Sequence, residues 1–373
     1  MRIPGHNGIK LGLERIEYLL EKLDNPHLKF KSIHVAGTNG KGSVCAMLSS
    51  ILKEAGYKVG MYTSPHLLNY NERMKIGGRD IRSRGLEKYF KMVRPHAKKV
   101  QATEFEILTA MAFKYFADKK VDIAVVEVGM GGRFDATNVL IPEVSVITTI
   151  DYDHCEYLGN TLAKIAYEKA GIIKPGVPVV TGESKRTALQ VIRRIAKQKE
   201  TGCWVVGEDA GIEAGCPLLG KHQKLNASIA VKVAQFLGIS KSAIRKGIRK
   251  TKWLGRFQVI SKKPLVIIDG AHNPAGIRAL KVTIKEQGIK TPLNLIFGVQ
   301  RGKDVDAMVK EISPIAKNVI VTQSSHPRAM PKKELAKKIK QPAVIDKRLP
   351  TVICGSLFLV ADVLRNYPTK KIT

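Results

Sequence analysis

Two spacings of apolar residues alternate along the chain. Leu13, Ile16, Leu19, Leu20 and Leu23 recur three or four positions apart within "LERIEYLLEKL", which predicts one face of a helix. "FKSIHVAGT" then predicts a short strand ending at glycine, and "SVCAMLSSILKEAG" a helix closed by Gly56. "VDIAVVEVGM" and "VSVITTI" are unbroken β-branched runs, the pattern of strands covered on both faces. "TLAKIAYEKAGIIKPG" reads as a helix that ends before Pro175, and "HQKLNASIAVKVAQFLG" as another. From about residue 260 the alternation resumes. "KPLVIIDGAHN" is a strand running into a turn, "AGIRALKVTIKEQG" a helix, "PLNLIFGV" and "NVIVTQSS" strands, and "GSLFLVADVLRN" a closing helix. The longest apolar stretch, "VICGSLFLVADVL", is broken by Asp362 and too short to cross a bilayer, so it reads as a buried helix.

Strands alternating with helices predict an α/β protein with parallel sheets. We expect a phosphate-loop (P-loop) ATPase domain with a mostly parallel sheet over 1–258. A smaller Rossmann-like open-sheet domain over 259–373 follows it, with the boundary inside "GRFQVISKKP", residues 255–264. Composition then narrows the class. The chain has 373 residues, a hydrophobic fraction of 44% and an N-terminus without a signal-peptide apolar core, which fits a folded cytoplasmic protein. Five cysteines without a CxxC pair predict buried thiols rather than a zinc knuckle, and a Cys203–Cys216 disulfide is the one pairing considered. The net charge of +31 raises nucleic-acid binding. Lys and Arg are spread over most of the chain, however, with no aromatic-and-basic signature, so a solvated surface and a small anionic substrate are the simpler reading.

Candidate chemistry sits where strands meet glycine. "GTNGKGS", Gly37 to Ser43, follows a strand and opens a helix, the context of a phosphate-binding loop, with a glycine inserted before Ser43. Glycines let backbone N–H groups converge on phosphate oxygens, the helix start adds partial positive charge, and Lys41 neutralises phosphate. Ser43 belongs near a metal. Glu127 ends the strand "VDIAVVE", at the edge where ligands of open α/β sheets bind, and a carboxylate there suits Mg²⁺. Asp151, Asp153 and His154 end the next strand, and "VGMYTSPHL" presents Ser64 and His66 at a further one. Lys169 near a helix end is, on its own, a lysine favoured by the helix dipole. In the second block Asp269 and His272 lie just past a strand. Asp269 is placed to bond ribose hydroxyls, and Arg256 in "WLGRF" to reach phosphate once the domains close.

Taken together and in order, "LERIEYLLEKL", "HVAGTNGKGS", "TSPHL", "TEFEILTAMAF", "EVGMGGRFDATN", "DHCEYLGNT", "EKAGIIKPG", "HQKLNA", "WLGRF" and "DGAHNP" resemble the folylpolyglutamate synthase and dihydrofolate synthase family of Mur-ligase-like amide ligases, over nearly the whole chain. The resemblance implies ATP and Mg²⁺, two ions, as cofactors. It assigns Gly40, Lys41, Gly42 and Ser43 to the ATP phosphates and Ser64, Glu127 and His154 to the metal. Lys169 matches a lysine carbamylated in that family. Asn226, Arg256 and Asp269 match nucleotide contacts, with His272 in the same motif, and Thr103, Phe105, Phe134 and Ile172 match positions lining the pterin-side pocket. Phe134 stands where the family usually has leucine, and "IDYDH" where it has "IGLDH".

The implied reaction is ATP-dependent addition of L-glutamate to a pteroate or folate carboxylate through an acyl phosphate, with Lys41, Lys169, His154 and Arg256 as the catalytic set. The protein is expected to be a monomer acting on small molecules, without nucleic-acid or membrane partners. A Mur-type ligase with another acid and amino acid is the alternative, and a nucleic-acid-dependent NTPase a more distant one.

Overall fold

The computed structural model describes residue 8 and residues 10–207, 215–339 and 344–367. It is an α/β chain dividing into two compact units. The first comprises residues 1–151, 158–217 and 225–251, and the second 152–157, 218–224 and 252–373. Two short segments that precede residue 252, 152–157 and 218–224, thus belong to the second unit.

The first unit is built on strands β1 (Lys31–Ala36), β2 (Val59–Tyr62), β3 (Met74–Ile76), β4 (Arg79–Asp80), β5 (Ile123–Glu127), β6 (Val144–Ile147), β7 (Val179–Thr181) and β8 (Cys203–Val205). They form one sheet in the order β4-β3-β2-β5-β1-β6-β7-β8. From β2 to β8 every pairing is parallel, and β3 and β4 add an antiparallel edge. The β-branched runs sit at the centre of this sheet, where β1, β5 and β6 are buried almost throughout. Parallel pairing needs crossover helices on both faces, which is why these strands carry no polar alternation.

The second unit has a five-stranded sheet of β9 (Gln258–Lys262), β10 (Leu265–Ile268), β11 (Leu293–Phe297), β12 (Ala316–Val321) and β13 (Thr351–Cys354), ordered β12-β11-β13-β10-β9. Only β9 runs antiparallel. Its core gathers Ile267, Ile277, Leu280, Phe297, Met308, Leu335 and Val352.

Two expectations are corrected. The apolar run Val352–Leu364 is not one buried helix: it is β13 followed by the helix Leu357–Asn366. The break is Gly355, whose φ of +103° favours glycine and whose missing side chain admits the Gly298 carbonyl, 2.7 Å from where a Cβ would sit. The helix after Thr161 ends at Ala170, before Pro175 as expected. A Cβ at Gly132 would lie 2.8 Å from both the Glu168 and Lys169 carbonyls, so a neighbouring loop occupies the space in which the helix would continue. The cysteines are all free thiols, but only Cys45 and Cys354 are buried, while Cys155, Cys203 and Cys216 are partly exposed. Among the described residues no helix is long and apolar enough to cross a membrane.

Helix Lys41–Glu54 crosses helix Lys241–Lys250 at Gly247, where a Cβ would lie 2.6 Å from the Ile51 backbone nitrogen. Gly247→Ala should therefore destabilise the fold by about 1–3 kcal/mol through overpacking, outweighing the roughly 1 kcal/mol that alanine gains over glycine in a helix. A denaturation midpoint at or above that of the parent would contradict this close approach.

Candidate functional site

In the first unit the carboxyl ends of the central strands carry the chemistry, as expected of an open parallel sheet. β1 runs directly into the glycine loop. Gly37 has φ +146°, and any side chain there would overlap Thr148 Oγ1 after β6. Gly40 has φ +87°, caps helix Lys41–Glu54, and would overlap Asn226 Oδ1 if substituted. Thr38 N bonds the Thr149 carbonyl at 2.7 Å, and Thr148 Oγ1 donates to the Asn39 carbonyl at 2.6 Å. The loop is thus seated on its neighbours before any ligand arrives. Gly42 and Ser43 begin the helix and are buried.

Two lysines meet one acceptor here. Lys41 Nζ donates to the Gly37 carbonyl at 3.1 Å and Lys169 Nζ donates to the same oxygen at 2.9 Å. Lys169 is 4% exposed. Sequence spacing gave Lys169 no role of its own, and the structure brings it to the glycine loop.

Glu127, 5% exposed at the end of β5, accepts from Ser64 N at 3.1 Å just beyond β2. Adjacent parallel strands thus bring together two of the three residues expected to hold a metal. A carboxylate beside a serine hydroxyl is a hard oxygen set that fits Mg²⁺. His154, the third, lies in segment 152–157 of the second unit with φ +52°. His66 takes a hydrogen bond from Arg73 Nε at 2.9 Å.

Around the second sheet a different cluster forms. Asp153 accepts from Lys303 Nζ and from Asn273 Nδ2 at 3.1 Å, with His272 Nε2 3.7 Å and His154 Nε2 3.9 Å away. Burial works to raise the Asp153 carboxyl, but Lys303, His272 and His154 outweigh it and hold it well below the usual carboxylate range. Burial, assisted by Lys303, lowers the His272 imidazole to about 4. Asp269 past β10 is buried, its two oxygens taken by Phe257 N at 2.7 Å and Ala271 N at 2.8 Å. His222 shares this environment, lowered by burial and by Arg256 while Asp269 opposes. Sequence reading missed Lys303 and His222. Lys303 sits in the glycine-containing turn "GVQRGKD" after β11, a signal of the same kind as the turns it did use.

The residues expected at a pterin-side pocket are spread over three elements of the first unit. Thr103 caps helix Glu104–Asp118 in a reciprocal box with Glu106. Phe105 packs 6.0 Å from Tyr62 and beneath Gly129. Ile172 is fully buried against Gly132, and Phe134 is 38% exposed with the Arg133 guanidinium 4.4 Å from its ring.

The loop carrying Phe134 is held from below by a network that sequence spacing did not reveal. His34 Nε2 lies 2.7 Å from Thr137 Oγ1, which donates to Asp135. Because Thr137 spends its proton on Asp135, Nε2 must carry the ring proton, and Nδ1 is buried without a partner. Burial, with a contribution from Lys174, lowers His34 to about 3.

Residues 35–211 match the Mur ligase middle domain and residues 255–354 the Mur ligase glutamate ligase domain. The chain is 36% identical to the dihydrofolate synthase/folylpolyglutamate synthase of Bacillus subtilis over 95% of each chain. It superposes on the Mycobacterium tuberculosis folylpolyglutamate synthase complexed with ADP and AMPPCP with a TM-score of 0.88, at 31% identity over 96% of this chain and 95% of that one. A bifunctional folylpolyglutamate synthase/dihydrofolate synthase with Mn, AMPPNP and L-glutamate bound gives 0.87, at 30% identity over 98% and 99%.

His34 also predicts a pH dependence. Its folded value of about 3 lies below the ordinary 6.5, so the unfolded chain binds the extra proton first. This contribution to stability is intact above pH 6.5 and falls as pH drops toward 3, by up to about 1.4 kcal/mol per pH unit. Denaturant titrations should show a shallower acid slope for His34→Gln than for the parent between pH 6.5 and 4, and equal slopes would contradict the assignment.

Proposed function

The chain belongs to the folylpolyglutamate synthase/dihydrofolate synthase family of Mur ligases, and we propose on that premise the following working of its site. The protein is an ATP-dependent ligase that joins L-glutamate to a folate-type carboxylate. ATP and a divalent metal are its cofactors. The observation that carries the reading is the glycine loop of Gly37–Ser43, opening a helix at the carboxyl edge of a parallel sheet with two lysines on its first carbonyl.

A substrate carboxylate oxygen attacks the γ-phosphorus of ATP, and the bond to the β-γ bridging oxygen breaks, releasing ADP and leaving an acyl phosphate. The amine of L-glutamate then attacks the acyl carbon. Phosphate leaves with the C–O electron pair, and the amine loses a proton. Carboxylate oxygen is a poor leaving group, which is why activation precedes amide formation. The protein's share is positioning and charge. Gly40, Lys41, Gly42 and Ser43 take the phosphates, with Lys41 and Arg256 offsetting charge on the transferred group. Asn226, Asp269 and His272 belong to the nucleotide. Ser64, Glu127 and His154 would hold Mg²⁺, as two ions, which supply charge neutralisation at the phosphates. Lys169 is a candidate for carbamylation. Thr103, Phe105, Phe134 and Ile172 are assigned to the pterin side.

We further propose the ligase domains as 1–258 and 259–373, a monomeric cytoplasmic protein, and no nucleic-acid partner. A phosphate-release assay with ATP and glutamate tests the reading. Dihydropteroate or tetrahydrofolate should stimulate it, whereas a UDP-muramyl acceptor, DNA or RNA should not, and stimulation by one of these alone would replace the folate reading. Lys41→Ala should lower kcat by at least about 10²-fold with an unchanged melting temperature. Glu127→Ala should move the Mg²⁺ titration to higher concentration, and an unchanged curve would remove Glu127 from the metal.

A further inference from the structure

We propose that Arg133 is a positioning residue of the ligase reaction, its ion pair with Glu168 fixing the direction in which Lys169 reaches the glycine loop. The inference rests on the ligase reading above. Arg133 grips Glu168 at two points, Nη2 to Oε1 at 2.6 Å and Nε to Oε2 at 3.3 Å. Its guanidinium lies against two rings, Phe134 at 4.4 Å and Tyr167 at 4.9 Å. A forked pair flanked by aromatic faces has little freedom to rotate, unlike an ordinary surface pair.

Glu168 and Lys169 are consecutive on the last turn of helix Leu162–Ala170, so their side chains leave the axis about 100° apart. Glu168 points to the loop of Arg133, and Lys169 to the Gly37 carbonyl. Rotation of this helix end therefore cannot change one contact without changing the other. The backbone reinforces the setting. Arg133 N donates to the Glu168 carbonyl at 2.8 Å, and Asn138 Nδ2 bridges the Arg133 and Gly171 carbonyls at 2.9 and 3.1 Å. These bonds satisfy carbonyls that a helix end would otherwise leave open.

Lysine has four rotatable bonds, and its precision comes from the backbone that launches it. Lys169 Nζ rests on the first glycine of the loop while only 4% exposed, so a small swing of the helix end displaces it, or the carbamate it is a candidate to carry, from the loop. A shift of about 1 Å in a charge-positioning group costs up to roughly 10²-fold in rate.

The test uses the full chain carrying Arg133→Met, Arg133→Lys, Glu168→Gln or the exchange Arg133→Glu with Glu168→Arg. Phosphate release, thermal midpoint and reductive methylation of lysines followed by mass spectrometry are measured for each. Arg133→Met and Glu168→Gln should lower kcat about 10- to 100-fold with the KM for ATP within about 3-fold and the midpoint nearly unchanged. Arg133→Lys should lie between them and the parent, and the exchange should recover part of the loss. In bicarbonate-free buffer, where the lysine amine is free, Lys169 should label several-fold faster in Arg133→Met than in the parent, with Lys41 labelling unchanged. Unaltered Lys169 labelling, or a kcat loss that simply follows a lowered midpoint, overturns the proposal. A parent protein inactive with every pterin acceptor would instead sink the ligase reading, while the labelling result would still judge the latch.

Discussion

The first unit depends on the carbonyl oxygen of Gly37. It accepts from Lys41 and from Lys169, and the residue that bears it can only be glycine because Thr148 fills the space of a side chain. Two such hydrogen bonds place the two amino groups within about 6 Å of each other. Both lysine side chains are thereby drawn to the start of the glycine loop, and the backbone there is already set. The loop is also pinned through Thr38 and Asn39 to the strand on its other side. Preorganisation of this kind means that little ordering remains to be done on binding.

The same logic extends across the sheet. Parallel strands end at one edge, so residues distant in sequence arrive side by side there: Gly37 after β1, Ser64 after β2, Glu127 after β5 and Thr148 after β6. Loops at such an edge need support from below and beside, because their own backbone bonds are few. The loop of residues 129–138 receives it from His34 through Thr137 and Asp135, and from the helix end at Glu168 to Gly171. Burial raises the Asp135 carboxyl, and the donors of Thr137, Met130 and Gly129 oppose that rise. A polar network this enclosed favours one arrangement of the loop because every alternative strands a donor or acceptor.

Much of this was legible in the sequence, and the reason is local. Unbroken β-branched runs named the buried strands β5 and β6, a short run ending at glycine named β1, and a lysine and a hydroxyl after glycines singled out the loop that opens the next helix. Glu127 was found because a carboxylate directly after an apolar run must sit at a strand end. Lys169 was not found that way. Its importance lies in a contact 132 residues away, and a lysine near a helix end reads the same whether it faces solvent or a carbonyl. His34 was hidden for a related reason, since within "IHVAG" it occupies a position that apolar residues could fill. The break at Gly355 was half legible: "GSLFLVADVLRN" named the helix, but the strand before it was hidden in a stretch whose one charge, Asp362, comes late, and the approach of the Gly298 carbonyl shows why a strand turns into a helix there.

Net charge, the largest single number in the composition, says least about this chemistry. The carboxylates that matter are each matched locally: Glu168 by the Arg133 fork, Asp153 by Lys303 with Asn273, Glu127 by the Ser64 amide. Asp153 shows how local the balance is. Burial alone would favour its protonated form, yet the cation beside it keeps it ionised far below its ordinary range. At separations of a few ångströms inside the protein such pairs interact several times more strongly than surface charges a Debye length apart. An excess of +31 spread over a solvated surface adjusts the rate at which an anionic substrate arrives, whereas the placement of single lysines and arginines at strand and helix ends decides what happens to it.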